Sequence, residues 1–352
     1  MRVLLIGDHP PPPGGVATHV AELKRFLVER GVEARVLDIG RGGRPAPDVV
    51  PARAPRQFGL RLAQFSAGGW LLHLHTSGNN RAAWLVALAT ASAARTFGVP
   101  AVLTVHSGLA PGYLARSRLG RAVARAALRG MTATIAVSAP IARALEGAGR
   151  LRAPVPVVPA FLSSQVQVGQ PPPGFDAARS RWPVLVAMAG HPSPVYGLEL
   201  MLAALGDPEV KARGIGLALF GPETEGAAAT AAAQAAGVSD RVAAFGELPH
   251  DQALALVKAS NLFVRPTSAD GDSISVREAL ALGVPVVASD AAARPPGTRL
   301  FRAGDSRALA TALLAAVGAT PPAVPAPDAG RALMALYESL TEEGRGAYVA
   351  RG

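Results

Sequence analysis

The chain has 352 residues, 49% hydrophobic and 17% charged, a balance that excludes disorder as the dominant state; its length favours two domains. It contains no cysteine, which excludes a disulfide framework, a Cys-ligated zinc or iron–sulfur site and a thiol nucleophile. The formal net charge is +10, from 35 Lys and Arg against 25 Asp and Glu, and such an excess asks for an anionic partner.

The excess is uneven. Residues 1–175 hold 20 basic and 7 acidic side chains, a balance of +13, whereas residues 176–352 hold 15 and 18, a balance of −3. Between the halves, Ala153–Phe175 carries no charge and six prolines, as a linker would. The expected organisation is an N-terminal domain over 1–162, a Pro-rich linker over 163–177 and a C-terminal domain over 178–328, with the C-terminal helix 329–341 able to pack back onto the first domain. Met1–Gly7 runs directly into a strand pattern, so no signal peptide is expected. The apolar run Ala82–Ala94 falls short of the roughly 20 residues a spanning helix needs, and a cytoplasmic protein, peripheral at most, is expected.

In chain order, Arg2–Ile6 is a continuous apolar run suited to a strand buried on both faces. Val16, Val20, Leu23 and Leu27 then mark one helix face, with Gly31 placed to end the helix. Strands come next at Arg35–Ile39, Trp70–His75, Ala101–His106 and Thr132–Val137. The pattern restarts with strands at Val184–Ala189, Leu217–Phe220, Val242–Phe245, Leu262–Arg265 and Val284–Ala288. Helices are expected at Gly197–Leu205, Asp251–Lys258, Ser275–Leu282, Asp305–Val317 and Ala329–Thr341. Alternating strands and helices predict an α/β protein: two Rossmann-like parallel-sheet domains facing each other across a cleft, with ligands at the carboxyl ends of the strands.

Several loops carry candidate chemistry. Asp8–Gly15 leaves a strand and enters a helix N-terminus that favours an anion, and Gly14 and Gly15 permit close approach; a rigid poly-Pro turn explains the same residues. The segment lacks the G-x-G-x-x-G spacing of a dinucleotide site. His73 and His75 alternate on one strand and share a face, as ligand contacts or as polar groups satisfied in the core, and His106 follows a strand directly. No local motif supplies a further metal ligand beside them. Arg265–Leu280 is the densest segment: a strand ends, a polar loop with Asp270, Gly271 and Asp272 follows, and a helix starts near Ser273, Ile274 and Ser275. Asp270 and Glu278 stand eight residues apart, one in the loop and one a turn inside the helix. Three plainer accounts stay open: a Ser275–Glu278 capping box, simple turn chemistry at Asp270–Asp272, and an Asp-x-Asp metal pair.

Taken in order along nearly the whole chain, these loops resemble the retaining family-4 glycosyltransferases (glycosyl transferases group 1) of GT-B fold. Gly14-Gly15-Val16 with His19, Leu103–Gly108, Ala136-Val137-Ser138, Val157–Ala160, Phe220-Gly221 and Phe245-Gly246 each match weakly. The specific match is Asp270 followed after seven residues by Glu278-Ala279-Leu280-Ala281, then Gly283-Val284-Pro285-Val286-Val287-Ala288. The resemblance implies a nucleotide-diphosphate sugar held mainly by the second domain, no cofactor and no metal. Glu278 would bond the ribose, Asp270 would lie by the donor sugar, and His106 would lie near the transferred sugar. Backbone amides at Ser273–Ser275, with Gly15, would hold the diphosphate. Gly190 opens the segment where the family places an arginine and a lysine; this chain has His191 and Tyr196 there, and Arg265 and Arg294 are the candidate replacements. A degenerate binding protein without turnover is the rival.

Arg118, Arg121, Arg125 and Arg129 recur at three, four and four residues on one predicted helix face, opposite Leu119, Val123, Ala126 and Ala127. Such a helix suits an anionic membrane surface or an anionic acceptor; a solvated arginine face is the plain alternative. The expected acceptor is a glycan or a lipid-linked glycan in bacterial polysaccharide biosynthesis. Nucleic acid is not expected, with no recognised module and only 5% aromatic residues.

Overall fold

The computed structural model describes the chain apart from residues 12–13, 41–45, 150, 152–153, 321–328 and 350–352, and apart from the side chains of 163 and 342–349. Pro12 and Pro13 of the loop after the first strand, Ala153 of the Pro-rich stretch and the closing residues 321–328 of the expected second domain therefore lie outside the described residues. The chain divides into two compact units, Met1–Ser164 with Pro327–Gly352, and Gln165–Ala326.

The first unit is a six-stranded parallel sheet of β1 (Arg2–Gly7), β2 (Glu33–Asp38), β3 (Val49–Pro51), β4 (Leu71–Thr76), β5 (Ala101–Val105) and β6 (Ala133–Ala136), in the order β3-β2-β1-β4-β5-β6. Every pairing is parallel, so both faces must be covered by helices, and β1, β4 and β5 are accordingly buried almost throughout, β1 and most of β5 as apolar runs and β4 with His73, His75 and Thr76 among its leucines. The helix Gly15–Val28 turns His19, Val20, Leu23, Phe26 and Leu27 inward, and Gly31 closes it with φ +76°. The run Ala82–Ala94 lies in the helix Arg81–Phe97, which buries Trp84, Ala87 and Ala91 while leaving Leu85 45% exposed, as a helix packed on one side does. Among the described residues no helix is long and apolar enough to cross a membrane.

The C-terminal helix, Ala329–Val349, belongs to this first unit. Leu333, Tyr337 and Leu340 join Val20, Leu23, Phe26 and Leu27 in one core. Tyr337 is fully buried, its hydroxyl hydrogen-bonded to His73 Nδ1 on β4, and His73 Nε2 meets Thr104 Oγ1 at 2.7 Å.

The second unit repeats the plan with β7 (Val184–Ala189), β8 (Ile215–Phe220), β9 (Val242–Ala244), β10 (Leu262–Arg265), β11 (Val286–Ser289) and β12 (Thr298–Phe301), ordered β12-β11-β10-β7-β8-β9 and parallel throughout. Alternate residues of β7 divide between two cores: Val184, Val186 and Met188 face one, Leu185 and Ala187 the other.

Two strands escape the sequence pattern. β3 has three residues and β12 exposes Arg299 and Leu300, because each lies at a sheet edge and needs no continuous apolar run. From Gln165 on, the expected linker belongs to the second unit rather than being strung free: Gln165 is 1% exposed and Phe175 is 3% exposed, opening the helix Phe175–Arg181 inside the core with Trp182.

Truncating Tyr337 tests the C-terminal helix as part of the first unit. Tyr337→Ala should cost about 3–5 kcal/mol and Tyr337→Phe about 1–3 kcal/mol, the latter by stranding His73 Nδ1. Hydrogen exchange of the β4 amides reads both, and unchanged protection in the Ala variant would show that the helix adds nothing there.

Candidate functional site

In a doubly wound sheet the chain starts at an inner strand, builds outward to one side, then returns to build on the other. The reversal leaves a crevice at the carboxyl ends of the two strands where the directions part. In the second unit those strands are β7 and β10, and the loops leaving them are 190–197 and 266–273. They are knitted together: Ser268 N–H donates to Val195 O at 2.9 Å, and a Cβ on Gly197, whose φ is +76°, would fall 2.2 Å from Pro266 O. Gly190 N–H donates to Phe220 O at 2.7 Å and Gly221 N–H to Gly246 O at 2.6 Å, so the glycines at the ends of β7, β8 and β9 stack in sequence. Gly221, at φ +121°, would place a Cβ 2.4 Å from Gly190 O, leaving only glycine there.

Five side chains form a column in this crevice. His191 stacks on Tyr196 with centroids 4.7 Å apart and planes at 22°, and the Arg265 guanidinium lies 4.8 Å from the Tyr196 ring centroid. Arg265 Nε–H donates to Asp270 Oδ2 at 3.1 Å, and Arg294 Nη1–H donates to the same oxygen at 2.9 Å. Arg294 is committed entirely to the protein: Nη2 also reaches Thr267 Oγ1 at 2.9 Å and Ser289 Oγ at 3.2 Å, while Nε donates to Ser289 O at 3.1 Å. Its side chain is 1% exposed. Burial alone would push the Asp270 carboxyl up, but Arg265 and Arg294 more than offset that and hold it below the usual carboxylate range. Two guanidinium groups against one carboxylate leave one net positive charge.

Glu278 sits on the helix Ile274–Ala281 and is 6% exposed. Its Oε1 accepts from Gln165 Nε2 at 2.6 Å and from His250 Nε2 at 2.8 Å. The capping-box account therefore fails: the N-cap is Ser273, which makes no side-chain cap bond, and Ser275 Oγ meets Ser273 Oγ at 3.2 Å instead of serving Glu278. The amides of the first turn are thus not taken up by the N-cap hydroxyl. Asp272 is paired with Arg277, whose Nε lies 2.7 and 2.9 Å from its two oxygens, and Gly271 N–H donates to Asp270 Oδ1 at 3.2 Å. Neither aspartate is arranged as a metal pair, since each is answered by arginine. A cavity of about 540 Å³ opens beside the column, lined among others by His191, Ser193, Gly197, Thr224 and Ser268. It adjoins the two loops without taking in Asp270 or Glu278.

In the first unit the reversal falls between β1 and β4. His73 and His75 do share a face, with centroids 4.0 Å apart. His106, just past β5, brings Nε2 within 3.1 Å of His75 Nδ1. The helix Gly15–Val28 adds His19, whose centroid lies 5.2 Å from that of His75 and 5.3 Å from that of His106. Burial holds all four neutral: it brings His19 down to about 4 against the opposing bond to the Ala160 carbonyl, and His73 to about 3 with help from His19. His75 and His106 are likewise held well below the ordinary range by burial and then by the neighbouring imidazoles. His19, His75 and His106 offer ligand atoms within 4.8 Å of one another, so the further metal ligand that no local motif supplies comes from a helix 56 residues away from His75 in sequence. Among the described residues, Gly14 and Gly15 would meet no atom within 4 Å on gaining a Cβ.

The arginine helix is Arg118–Gly130, and its buried face differs from the expected one. Gly120, Ala124, Ala127 and Leu128 pack inward, whereas Leu119 is 56% exposed among the arginines and Ala126 is exposed too. Arg125 Nε–H is tethered to Ala148 O at 3.0 Å. Gln165 and His250, the two donors to Glu278, carry no local signal and are reached only through the fold.

Asp270→Asn should destabilise the second unit by about 3–5 kcal/mol at pH 7, because two buried guanidinium groups lose their counter-charge. The depressed carboxyl contributes stability above its unfolded value and loses it as pH falls through the folded one, so the gap between variant and wild type should narrow in acid. Unfolding midpoints of both proteins across pH 3–7 check this; a gap constant with pH would contradict it.

Comparison with known proteins agrees with this architecture. The family model Glycosyltransferase Family 4 matches residues 13–163, and the model Glycosyl transferases group 1 matches residues 183–318, so the two together take in most of the chain. A 2-deoxystreptamine N-acetyl-D-glucosaminyltransferase of Streptomyces fradiae is 29% identical over 336 residues, covering 78% of this chain and 74% of that protein. Sucrose-phosphate synthase from Thermosynechococcus elongatus superposes with TM-score 0.70 at 18% identity, covering 99% of this chain and 98% of the other. Anabaena HepE in complex with UDP-glucose superposes with TM-score 0.68 at 18% identity, covering 99% and 100%. The two six-stranded Rossmann-like domains are those of the GT-B fold, and the chain belongs to the group 1, family 4 glycosyltransferases.

Proposed function

We propose that this glycosyltransferase is a retaining, metal-independent hexosyltransferase that moves a sugar from a nucleoside diphosphate to a glycan or lipid-linked acceptor. The observation that carries the reading is the anchored acid of the second unit: Glu278 is buried and oriented by Gln165 and His250, on the helix whose first-turn amides are uncapped by side chain. A fixed carboxylate acceptor suits paired ribose hydroxyls, and uncapped amides at a helix N-terminus suit a diphosphate. HepE, the structural neighbour, is described in complex with UDP-glucose, which favours a UDP-sugar here as well.

In this reading the bond from the anomeric carbon to the diphosphate oxygen breaks and the acceptor oxygen takes its place with the same configuration. The acceptor proton passes to the departing diphosphate. Negative charge that builds on the diphosphate is met by the amides at Ile274 and Ser275 and by the one net positive charge around Arg265. Arg294, saturated by protein oxygens, positions Asp270 beside the sugar and does not reach the phosphates itself. Within the first unit, Gly14 and Gly15 would meet none of the described residues on gaining a Cβ, which suits close approach of a ligand to this loop, and His106 is assigned to the transferred sugar.

A second reading has a specific observation in its favour. Asp270 consumes the two arginines that would replace the family's cations, and His191 stacked on Tyr196 offers no fixed charge, as in a binding protein without turnover. Transfer and hydrolysis measured with UDP-glucose, UDP-N-acetylglucosamine and other nucleotide sugars separate the two. Turnover is expected, with kcat/KM lowered by about tenfold to 100-fold in Glu278→Ala and in Arg265→Ala, the worth of one charged hydrogen bond. UDP binding without turnover across the panel would leave the binding protein standing.

Arg118, Arg125 and Arg129 are exposed and Arg121 is half-buried, and with Leu119 among them they support docking of the first unit on the inner face of an anionic membrane, each cation contributing about 1 kcal/mol. The protein should sediment with anionic and not with neutral vesicles, and reversal of Arg121 and Arg125 to Glu should abolish it. Equal sedimentation with both vesicle types would end the membrane assignment.

A further inference from the structure

The chain has seven histidines, and the fold gathers four of them under the reversal point of the first sheet. One of these is fully answered: His73 bonds Tyr337 and Thr104 through its two ring nitrogens. The other three are not. His19 Nδ1 faces the Ala160 carbonyl at 3.1 Å, and a carbonyl can only accept, so Nδ1 carries the proton and Nε2 is left with its lone pair. An imidazole held by one nitrogen to a backbone carbonyl is the arrangement that orients a metal-binding histidine. His75 is 2% exposed, and its Nε2 is buried with no hydrogen-bond partner among the described residues. Its Nδ1 faces His106 Nε2 at 3.1 Å. In the metal-free protein one proton bridges that contact; a metal ion displaces it, and the separation approaches the roughly 3.3 Å between two ligands of a tetrahedral ion with bonds of about 2.0–2.1 Å.

We propose that His19, His75 and His106 form a binding site for one late first-row divalent metal ion, Zn²⁺ above all, within the first unit. Three imidazoles suit zinc, copper and nickel over the harder magnesium and calcium, and the donor atoms already lie within 4.8 Å of one another. Three protein ligands leave a fourth position for water or another small ligand. The three ligands all belong to the first unit, whereas Glu278 and Asp270 belong to the second. Occupancy withdraws the His106 lone pair from any other task, and zinc is then an inhibitor of transfer. The site itself stands or falls independently of the transfer reading, because it is tested with no donor present.

Full-length protein stripped with EDTA is dialysed to equilibrium against micromolar Zn²⁺ and analysed for metal. One zinc per chain is expected, with affinity lowered on the order of 100-fold in His19→Gln and in His75→Gln and unchanged in His9→Gln, which alters a histidine outside the cluster. Binding well below one zinc per chain, or binding that survives His19→Gln and His75→Gln, overturns the proposal. X-ray absorption of the zinc-loaded wild type needs no variant: three imidazole nitrogens in the inner shell support the site, and a shell of oxygens overturns it.

Discussion

Two sheets that each begin at an inner strand and build outward in two directions dictate where this molecule can place chemistry. Reversal of direction is unavoidable in that winding, and at the reversal no crossover helix covers the strand ends, so backbone amides and loop side chains are left facing a common space. In the second unit that space lies between β7 and β10, and the loops there are tied by the Ser268–Val195 bond and by the close approach of Gly197 to Pro266. Gly190, Gly221 and Gly246 fix the ends of the neighbouring strands in the same way. The candidate donor site is therefore rigid in its backbone and leaves chemistry to a handful of side chains.

Those side chains are arranged around scarce charge. A diphosphate calls for cations, yet Asp270 draws Arg265 and Arg294 to one oxygen, and Arg294 has no remaining donor nitrogen without a protein partner. What the arrangement secures is position: a carboxylate held ionised and immobile, with Arg265 flattened against Tyr196. Tyr196 and His191 stand where cations are expected from the family pattern, and here they make a stacked wall under the remaining guanidinium. In the proposed transfer, neutralising the leaving group would fall to backbone amides more than to side chains, and such amides cost no reorganisation when charge develops.

Much of this is legible from residue order, and the exceptions have physical causes. The buried central strands announce themselves because a strand covered on both faces must be apolar throughout, as in Val3–Ile6 and Val184–Met188. The edge strands β3 and β12 do not, since one side faces solvent and the pattern thins. Asp270 and Glu278 are visible as a spaced pair, but their partners are not: Gln165 lies 113 residues and His250 28 residues from Glu278, and no period links them. The arginine face of Arg118–Gly130 is visible too. Its inward face is not the one that Leu119 and Ala126 suggest, because small Gly120, Ala124 and Ala127 let the helix seat closely and give no hydrophobic signal.

The histidines mark the same limit in sharper form. Alternation places His73 and His75 together, and a strand end places His106 near them, but the assembly is completed by His19 from a helix after β1. Neighbouring positions on one face of β4 then take opposite roles, since His73 is saturated by Tyr337 and Thr104 while His75 keeps a buried nitrogen unanswered. A core assembled only for stability would satisfy or replace such an atom, for an unpaired buried polar group is costly where an apolar side chain of similar shape is nearly neutral. Three imidazoles within ligand range, one of them oriented by a backbone carbonyl and one with a buried nitrogen unanswered, become tolerable side by side when a cation answers their lone pairs. The positive charge of this half therefore sits on its arginines, while its buried histidines stay neutral and keep lone pairs for the proposed metal.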